Sequence, residues 1–192
     1  MAPIERWGLA RQRQLTLAPA RGRVLEVGAR TGHNLAYYPP GVTVVVTERD
    51  AARRARLADR ATWSPGAVRV VAASVPGLPF ADGVFDTVVS TLALCGVDEI
   101  AAAIADLRRV LSGEGELLFL EHTLGRRRSV AAAQRALAPV WAAVGGCRLD
   151  RDTIGALRAG GFVVSDCERL APIGRLSFGT VVRGRAIKRS ST

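Results

Sequence analysis

Short β-branched runs alternate along this chain with segments of helical period. Residues 23–27, 42–47, 68–72, 86–91 and 116–120 are rich in Val, Leu and Thr and are bounded by Gly, Pro or Asp. Continuous apolar runs of this kind fit strands buried on both faces, as in a parallel sheet. A helix is expected after Asp98, its natural N-cap, with Ile100, Ile104, Leu107 and Leu111 on one face and Arg108 and Arg109 on another. After residue 122 the pattern changes. Residues 129–144 form an alanine-rich helical stretch with Val130, Leu137, Trp141 and Val144 roughly in line, and Pro139 should kink it. Asp150 then caps a helix through Leu157 that Gly160 and Gly161 end, and two strands follow near 162–166 and 180–186. The pattern predicts an α/β fold, a doubly wound and mostly parallel sheet of seven strands. With no repeat and no low-complexity linker, 1–192 reads as a single domain, with 1–20 as an N-terminal helical cap and 123–149 as a helical insert or lid.

Composition narrows the class. At 192 residues, 48% apolar and with a mean hydropathy of +0.16, the chain is neither disordered nor too short to bury a sizeable core. No stretch of about 18 apolar residues predicts a membrane span, and Met1 to Trp7 lacks the apolar core of a secretory signal. Cys95, Cys147 and Cys167 are odd in number and lack metal-ligand spacing, so they read as reduced thiols of a cytoplasmic protein, with no zinc site. The net charge of +10 is uneven: residues 1–60 carry 11 basic and 5 acidic side chains, 61–122 carry 3 and 8, and 123–192 carry 13 and 4. This is either arginine-rich bias on solvated faces or a basic surface for phosphate or membrane headgroups. Aromatic residues are not interleaved with the arginines, so a nucleic-acid partner is not expected.

Chemistry enters at the first strand end, where Glu26-Val-Gly28-Ala-Arg30-Thr-Gly32 makes a tight turn, while the second strand ends at Glu48. Glycines at a strand end permit close approach to something bulky, and a carboxylate at the neighbouring strand tip accepts hydrogen bonds from a ribose diol. Such a pair suits a nicotinamide or an S-adenosylmethionine site. His33 stands where the dinucleotide fingerprint wants its third glycine, and the spacing of Gly28, Arg30 and Gly32 follows the shorter methyltransferase pattern.

Two further segments agree: Leu78-Pro-Phe-Ala-Asp-Gly-Val-Phe-Asp86 with the strand after it, and Leu107 through Glu121-His122. With the glycine turn they resemble the class I S-adenosylmethionine-dependent methyltransferases, whose fold is Rossmann-like. Gly32-His-Asn-Leu-Ala-Tyr-Tyr-Pro-Pro-Gly41, Leu92-Ala-Leu-Cys-Gly-Val97, Leu137-Ala-Pro-Val-Trp141, Gly146-Cys147 and Gly184-Arg-Ala-Ile-Lys188 look most like the alkyl-thiol S-methyltransferase branch. The likeness runs from about Arg11 to Lys188. It implies S-adenosylmethionine as cofactor, held by Glu26, Gly28, Ala29, Arg30, Gly32, Asn34, Glu48, Arg49, Ser74, Val75, Thr91, Leu92 and Cys95. Two departures stand out. Arg30 replaces the middle glycine, and either pairs with the methionine carboxylate, points to solvent, or crowds the site. Ser74 or Val75 stands where an acidic residue often meets the adenine amine. The branch's membrane-anchoring N-terminal helix is also missing, which argues for a soluble protein.

The acceptor is expected to be a small molecule, with a thiol favoured. Rivals are phospholipid or quinone and natural-product N-, O- or C-methylation, for which a peripheral anionic surface would be a fitting partner, and a cofactor-binding protein that no longer methylates. His122, at the carboxyl end of the fifth strand, is the candidate base, against a packed or capping histidine. His33 is structural or substrate-lining, Tyr37 and Trp141 are substrate-lining candidates (Trp141 as core or lid), and Cys95 is a small apolar group beside the adenine.

Overall fold

Alternate side chains of the strands point to opposite faces of the sheet, and both faces are apolar. Leu25, Val88, Leu117 and Phe119 enter one core, while Val24, Val89 and Leu118 enter the other. The computed structural model describes residues 8–64, 66–170 and 180–189. Its strands are β1 (Arg23–Val27), β2 (Thr43–Thr47), β3 (Val68–Val71), β4 (Phe85–Thr91), β5 (Leu111–Thr123), β6 (Phe162–Arg169) and β7 (Thr180–Lys188). They form one sheet in the order β3-β2-β1-β4-β5-β7-β6, parallel except that β7 runs antiparallel to both β5 and β6. The helices are α1 (Ala10–Leu17), α2 (Ala51–Ala61), α3 (Ile100–Val110), α4 (Arg128–Gly145) and α5 (Thr153–Ala159). Ile104 and Leu107 of α3 and Ile154 and Leu157 of α5 close one face; Leu17 of α1 and Leu57 of α2 close the other. The expected doubly wound, single-domain architecture is therefore present. Among the described residues no helix is long and apolar enough to cross a membrane.

Several local expectations need correction. The glycine turn runs into a 3-10 turn, Leu35–Tyr37, that goes no further because Pro39 holds Tyr38 extended at φ −66°, ψ 137°. Asp98 does not cap α3: Glu99 is its N-cap residue and makes no side-chain cap bond. In α5 the cap is Asp152, not Asp150, and its carboxylate accepts from the Gly155 amide at 2.9 Å. α4 runs through Pro139 as one element, and Ala131, Gln134 and Ala138 are its buried stripe. Val130 and Leu137, expected to line up on a packing face, are 40% and 42% exposed. The N-terminal cap is described from residue 8 onward; the reading of Met1 to Trp7 falls outside the described residues.

The order of the strands sets where a ligand can sit. β1 has β2 on one side and β4 on the other, so successive connections leave in opposite directions and a crevice opens beyond the carboxyl ends of these strands.

Candidate active site

A cavity of about 570 Å³ occupies that crevice. Its walls come from the turn after β1 (Gly28, Arg30), the end of β2 (Glu48, Arg49) and the loop after β3 (Ala73 to Pro76). The segment after β4 (Leu92, Ala93, Gly96 to Glu99) and the carboxyl end of α4 (Ala142, Ala143, Gly146, Cys147) complete it. Gly28 adopts φ 63°, and a Cβ there would lie 2.9 Å from that of Ala93. Glycine is thus needed both for the left-handed turn and for the close approach of β4's loop. Arg30 and Leu92 also have φ 52° without being glycine, so two strained residues face the same cavity.

Glu48 is 4% exposed and spans the mouth of the glycine turn. Its Oε2 accepts from the Arg30 amide at 3.0 Å and its Oε1 from the Asp50 amide at 2.8 Å. Each oxygen keeps a lone pair for a further donor, which is what a vicinal diol supplies. The Arg30 guanidinium is solvent-accessible at the rim and offers a fork for a carboxylate. Val75, Leu92 and Val97 add apolar wall for a flat ring or an alkyl chain.

Other expected contacts lie behind this surface. Glu26 is 2% exposed, Asn34 is fully buried, and both serve the turn's foundation. The Asn34 amide donates to Glu26 Oε1 at 2.9 Å and to Thr91 Oγ1 at 2.8 Å, while its Oδ1 accepts from Arg13 Nη1 at 2.8 Å. The Tyr38 hydroxyl donates to Glu26 Oε2 at 2.7 Å. Burial pushes the Glu26 carboxyl above its ordinary range, against the opposing pull of Tyr38, Arg13 and Asn34. Glu26, Asn34 and Thr91 therefore brace the turn and do not line the cavity, and the same holds for buried Ala29 and Gly32. His33 lies 3.4 Å from Arg60 Nη1 of α2, Tyr37 packs into the core beside α1 and α2, and neither they nor Trp141 line the cavity.

The seam between the loops after β4 and after α4 is built around a residue that the sequence marked only as part of the Glu121-His122 segment. Glu121, fully buried at the end of β5, accepts four hydrogen bonds. Its Oε1 takes the Ser90 hydroxyl at 2.7 Å and the amides of Ala93 and Leu94 at 2.9 and 3.0 Å; its Oε2 takes the Cys95 amide at 3.2 Å. Burial pushes its carboxyl up even against these donors. The Arg151 guanidinium donates to the carbonyls of Leu94 and Val97, and the Arg148 amide donates to the Cys95 carbonyl at 2.9 Å. The loops after β4 and after α4 are thereby stitched together, and a Cβ on Gly96 would come within 2.7 Å of the Gly146 carbonyl oxygen.

This seam places Cys95 Sγ 3.6 Å from His122 Nδ1, and Cys147 completes a cluster whose donor atoms all lie within 4.8 Å of one another. The hydrogen bond between the two thiols pulls Cys147 down and pushes buried Cys95 up, and the imidazole lowers Cys147 further. Sequence spacing concealed this grouping, because its members come from three separate elements. His122, the candidate base, is half-buried with its Nδ1 turned toward Cys95 Sγ. Cys95 is fully buried among these partners and not at the cavity surface; Cys147 is the member that reaches it.

The geometry is that of a Rossmann-like site for an adenosyl cofactor. The model of the family described as "Methyltransferase domain" matches residues 25–119. The thiol S-methyltransferase TMT1B of Homo sapiens is 32% identical over 188 residues, covering 91% of this chain and 74% of the human one. Among solved structures, a protein of Bacillus halodurans superposes with a TM-score of 0.77 at 15% identity, covering 95% of this chain and 99% of that one. The didemethyltoxoflavin N1-methyltransferase of Burkholderia thailandensis, solved with S-adenosylhomocysteine, gives 0.71 at 19% identity, over 96% of this chain and 80% of that one. The chain belongs to the class I S-adenosylmethionine-dependent methyltransferases, near the thiol S-methyltransferase branch. It is an enzyme of small-molecule methylation.

Proposed function

We propose that the enzyme moves the methyl group of S-adenosylmethionine to the sulfur of a small, largely apolar thiol. The observation that carries this reading is the 32% identity with a thiol S-methyltransferase along 91% of the chain. The cavity is consistent with it. Glu48 would accept the ribose hydroxyls, Arg30 would pair with the methionine carboxylate, and Ser74, Val75 and Val97 would flank the adenine. The cofactor supplies an activated methyl on a sulfonium, so the protein has to hold, orient and desolvate the reactants. A thiol of pKa ~8.5 is partly ionised near neutrality and needs little help from a base. Its thiolate forms the new carbon–sulfur bond as the sulfonium's bond breaks; the electron pair stays on the cofactor's sulfur, and the thiol proton goes to water. At the acceptor end the cavity is walled by α4, whose neighbouring Leu137 and Val140 are exposed, an apolar flank suited to an alkyl tail. A reducing, cytoplasmic setting suits the free thiols Cys95, Cys147 and Cys167.

The test is a panel of alkyl and aryl thiols, phenols, amines and phosphatidylethanolamine vesicles with S-adenosylmethionine, read by product mass. Thiols should gain the mass of one methylene and yield a thioether. Turnover of hydroxyl compounds or of the phospholipid alone would overturn the thiol assignment, and S-adenosylmethionine binding without turnover of any class would favour the non-catalytic alternative.

A further inference from the structure

We propose that Cys95, His122 and Cys147 form a binding site for one zinc-class divalent metal ion, with a fourth coordination position open to the cavity for the acceptor's sulfur. The role given to that fourth position rests on the thiol reading above; the metal site itself does not. The donor set is two sulfurs and one imidazole nitrogen, supplied by the 3-10 turn Leu94–Gly96 after β4, the end of β5 and the residue after the Gly146 cap of α4. Tetrahedral coordination at Zn–S ~2.3 Å and Zn–N ~2.05 Å requires S···N edges of roughly 3.6 Å and an S···S edge of roughly 3.8 Å. Cys95 Sγ and His122 Nδ1 already stand at 3.6 Å, and all three donors fall within 4.8 Å of one another. The two edges to Cys147, each at most 4.8 Å, would have to close by no more than about 1.2 Å, a distance within reach of side-chain torsion.

Charge and support agree with the geometry. Two thiolates and a neutral imidazole carry the charge that a divalent ion cancels, and without such an ion two thiols and a ring are crowded together where Cys95 is fully buried. The backbone around the donors is held from outside. The Cys95 amide and carbonyl are bound by Glu121 and by the Arg148 amide, and the His122 carbonyl accepts from the Thr153 hydroxyl at 2.7 Å. Metal sites depend on this kind of second layer of partners. Three protein donors with one side facing a cavity is the arrangement of catalytic zinc sites, which leave a position for water or substrate. A thiol entering that position would lose its proton to water on coordination and present its sulfur lone pair to the cofactor's methyl; nothing is oxidised or reduced.

Purified protein would be stripped with chelator under reducing conditions and titrated with cobalt(II), read by the sulfur-to-metal charge-transfer band and the visible bands of tetrahedral cobalt. The proposal expects a stoichiometry near one per chain, displaced by zinc. It should fall to near zero in Cys147→Ser and in His122→Gln, variants chosen because neither removes the fully buried thiol. Cys167→Ser, which alters an exposed cysteine of β6, should retain the full stoichiometry. An alkyl thiol, and not the matching alcohol, should shift the visible cobalt bands. Absence of tetrahedral bands, or their survival in both variants, would overturn the site. Bands that form but ignore added thiol would overturn the open-position role and leave a closed structural site. Neither outcome depends on the methylation panel, so a failed metal site and a failed thiol assignment are told apart.

Discussion

Under the proposed function Glu48 takes the ribose hydroxyls with a carboxylate that is already engaged. Its oxygens already hold the Arg30 and Asp50 amides, so Glu48→Gln turns an amide NH₂ toward one of these donors and removes the charge. Hydrogen bonds to a charged group are worth ~1.5–3 kcal/mol, so affinity for S-adenosylhomocysteine should drop about ten- to a hundred-fold by calorimetry. An unchanged dissociation constant would refute the ribose assignment. Arg30 separates two effects that a single readout would confuse. At φ 52° the arginine backbone is strained, so Arg30→Gly should raise folding stability by ~0.5–1 kcal/mol in urea titration, while weakening cofactor binding, more so at low salt. Tighter binding would instead mean that the side chain obstructs the turn. Glu26 offers a pH test. Its folded-state carboxyl is raised by burial, so the native protein holds this proton more firmly than the unfolded chain. The associated stability is complete below the ordinary carboxylate range and is lost as pH rises through the raised value. Denaturation of wild type and Glu26→Gln across that window should show the wild-type advantage shrinking with rising pH; a constant difference would show that burial leaves this carboxyl unperturbed. None of these roles is visible in residue identity alone. Glu48 is set apart by its place just past the tip of β2, where it meets the cavity, whereas Glu26 and Glu121 lie within β1 and β5 and are buried behind its wall.

At the scale of elements, strands were legible where both faces are apolar and blurred where they are not. β1 matches its expected span because a run buried on both sides has one reading. β5 starts earlier than expected, at Leu111, because Ser112, Gly113, Glu114 and Gly115 look like a turn in sequence, yet Leu111 pairs with Phe85 across a bulge. β6 continues to Arg169 through mostly exposed polar residues, which an edge strand paired on one side tolerates. α4 misled for a different reason: its large apolar residues are partly exposed, while alanines and Gln134 are buried. The Gln134 side chain accepts from the Gly125 amide at 2.6 Å and donates to the Thr123 carbonyl at 3.1 Å, anchoring the helix by polar contacts that hydrophobic periodicity does not register. The antiparallel strand pair makes its own prediction. A Cβ on Gly184 of β7 would fall 2.0 Å from the Asp166 carbonyl oxygen and 2.6 Å from Phe119 Cζ. Gly184→Ala should therefore destabilise by ~3 kcal/mol or more in chemical denaturation, because strand backbone and a packed ring must both move. A change under ~1 kcal/mol would show that β6 slides freely against β7.

For the whole molecule, the doubly wound sheet was readable from the alternation of strands and helices, and a nucleotide-type crevice from one glycine turn and one strand-end carboxylate, which fall where the sheet reverses direction. The cluster of Cys95, His122 and Cys147 was not, since its residues meet only after β4, β5 and the segment beyond α4 have assembled. Cofactor binding should report on the entire fold. At about 100 times its dissociation constant, S-adenosylhomocysteine adds ~2.7 kcal/mol, which for a chain of this size raises the melting temperature by about 5–10 °C. Thermal melts lacking this shift in wild type would exclude a competent cofactor site. The knot around Glu121 carries a consequence of another kind, one of time. Loop amides ordinarily trade their hydrogens for deuterium through small local openings, but those of Ala93, Leu94 and Cys95 are bound to a carboxylate anchored inside the sheet. Releasing them requires β5 to part from β4. These three amides should therefore exchange as slowly as the central strands even before any ligand arrives, a loop that keeps the clock of the core.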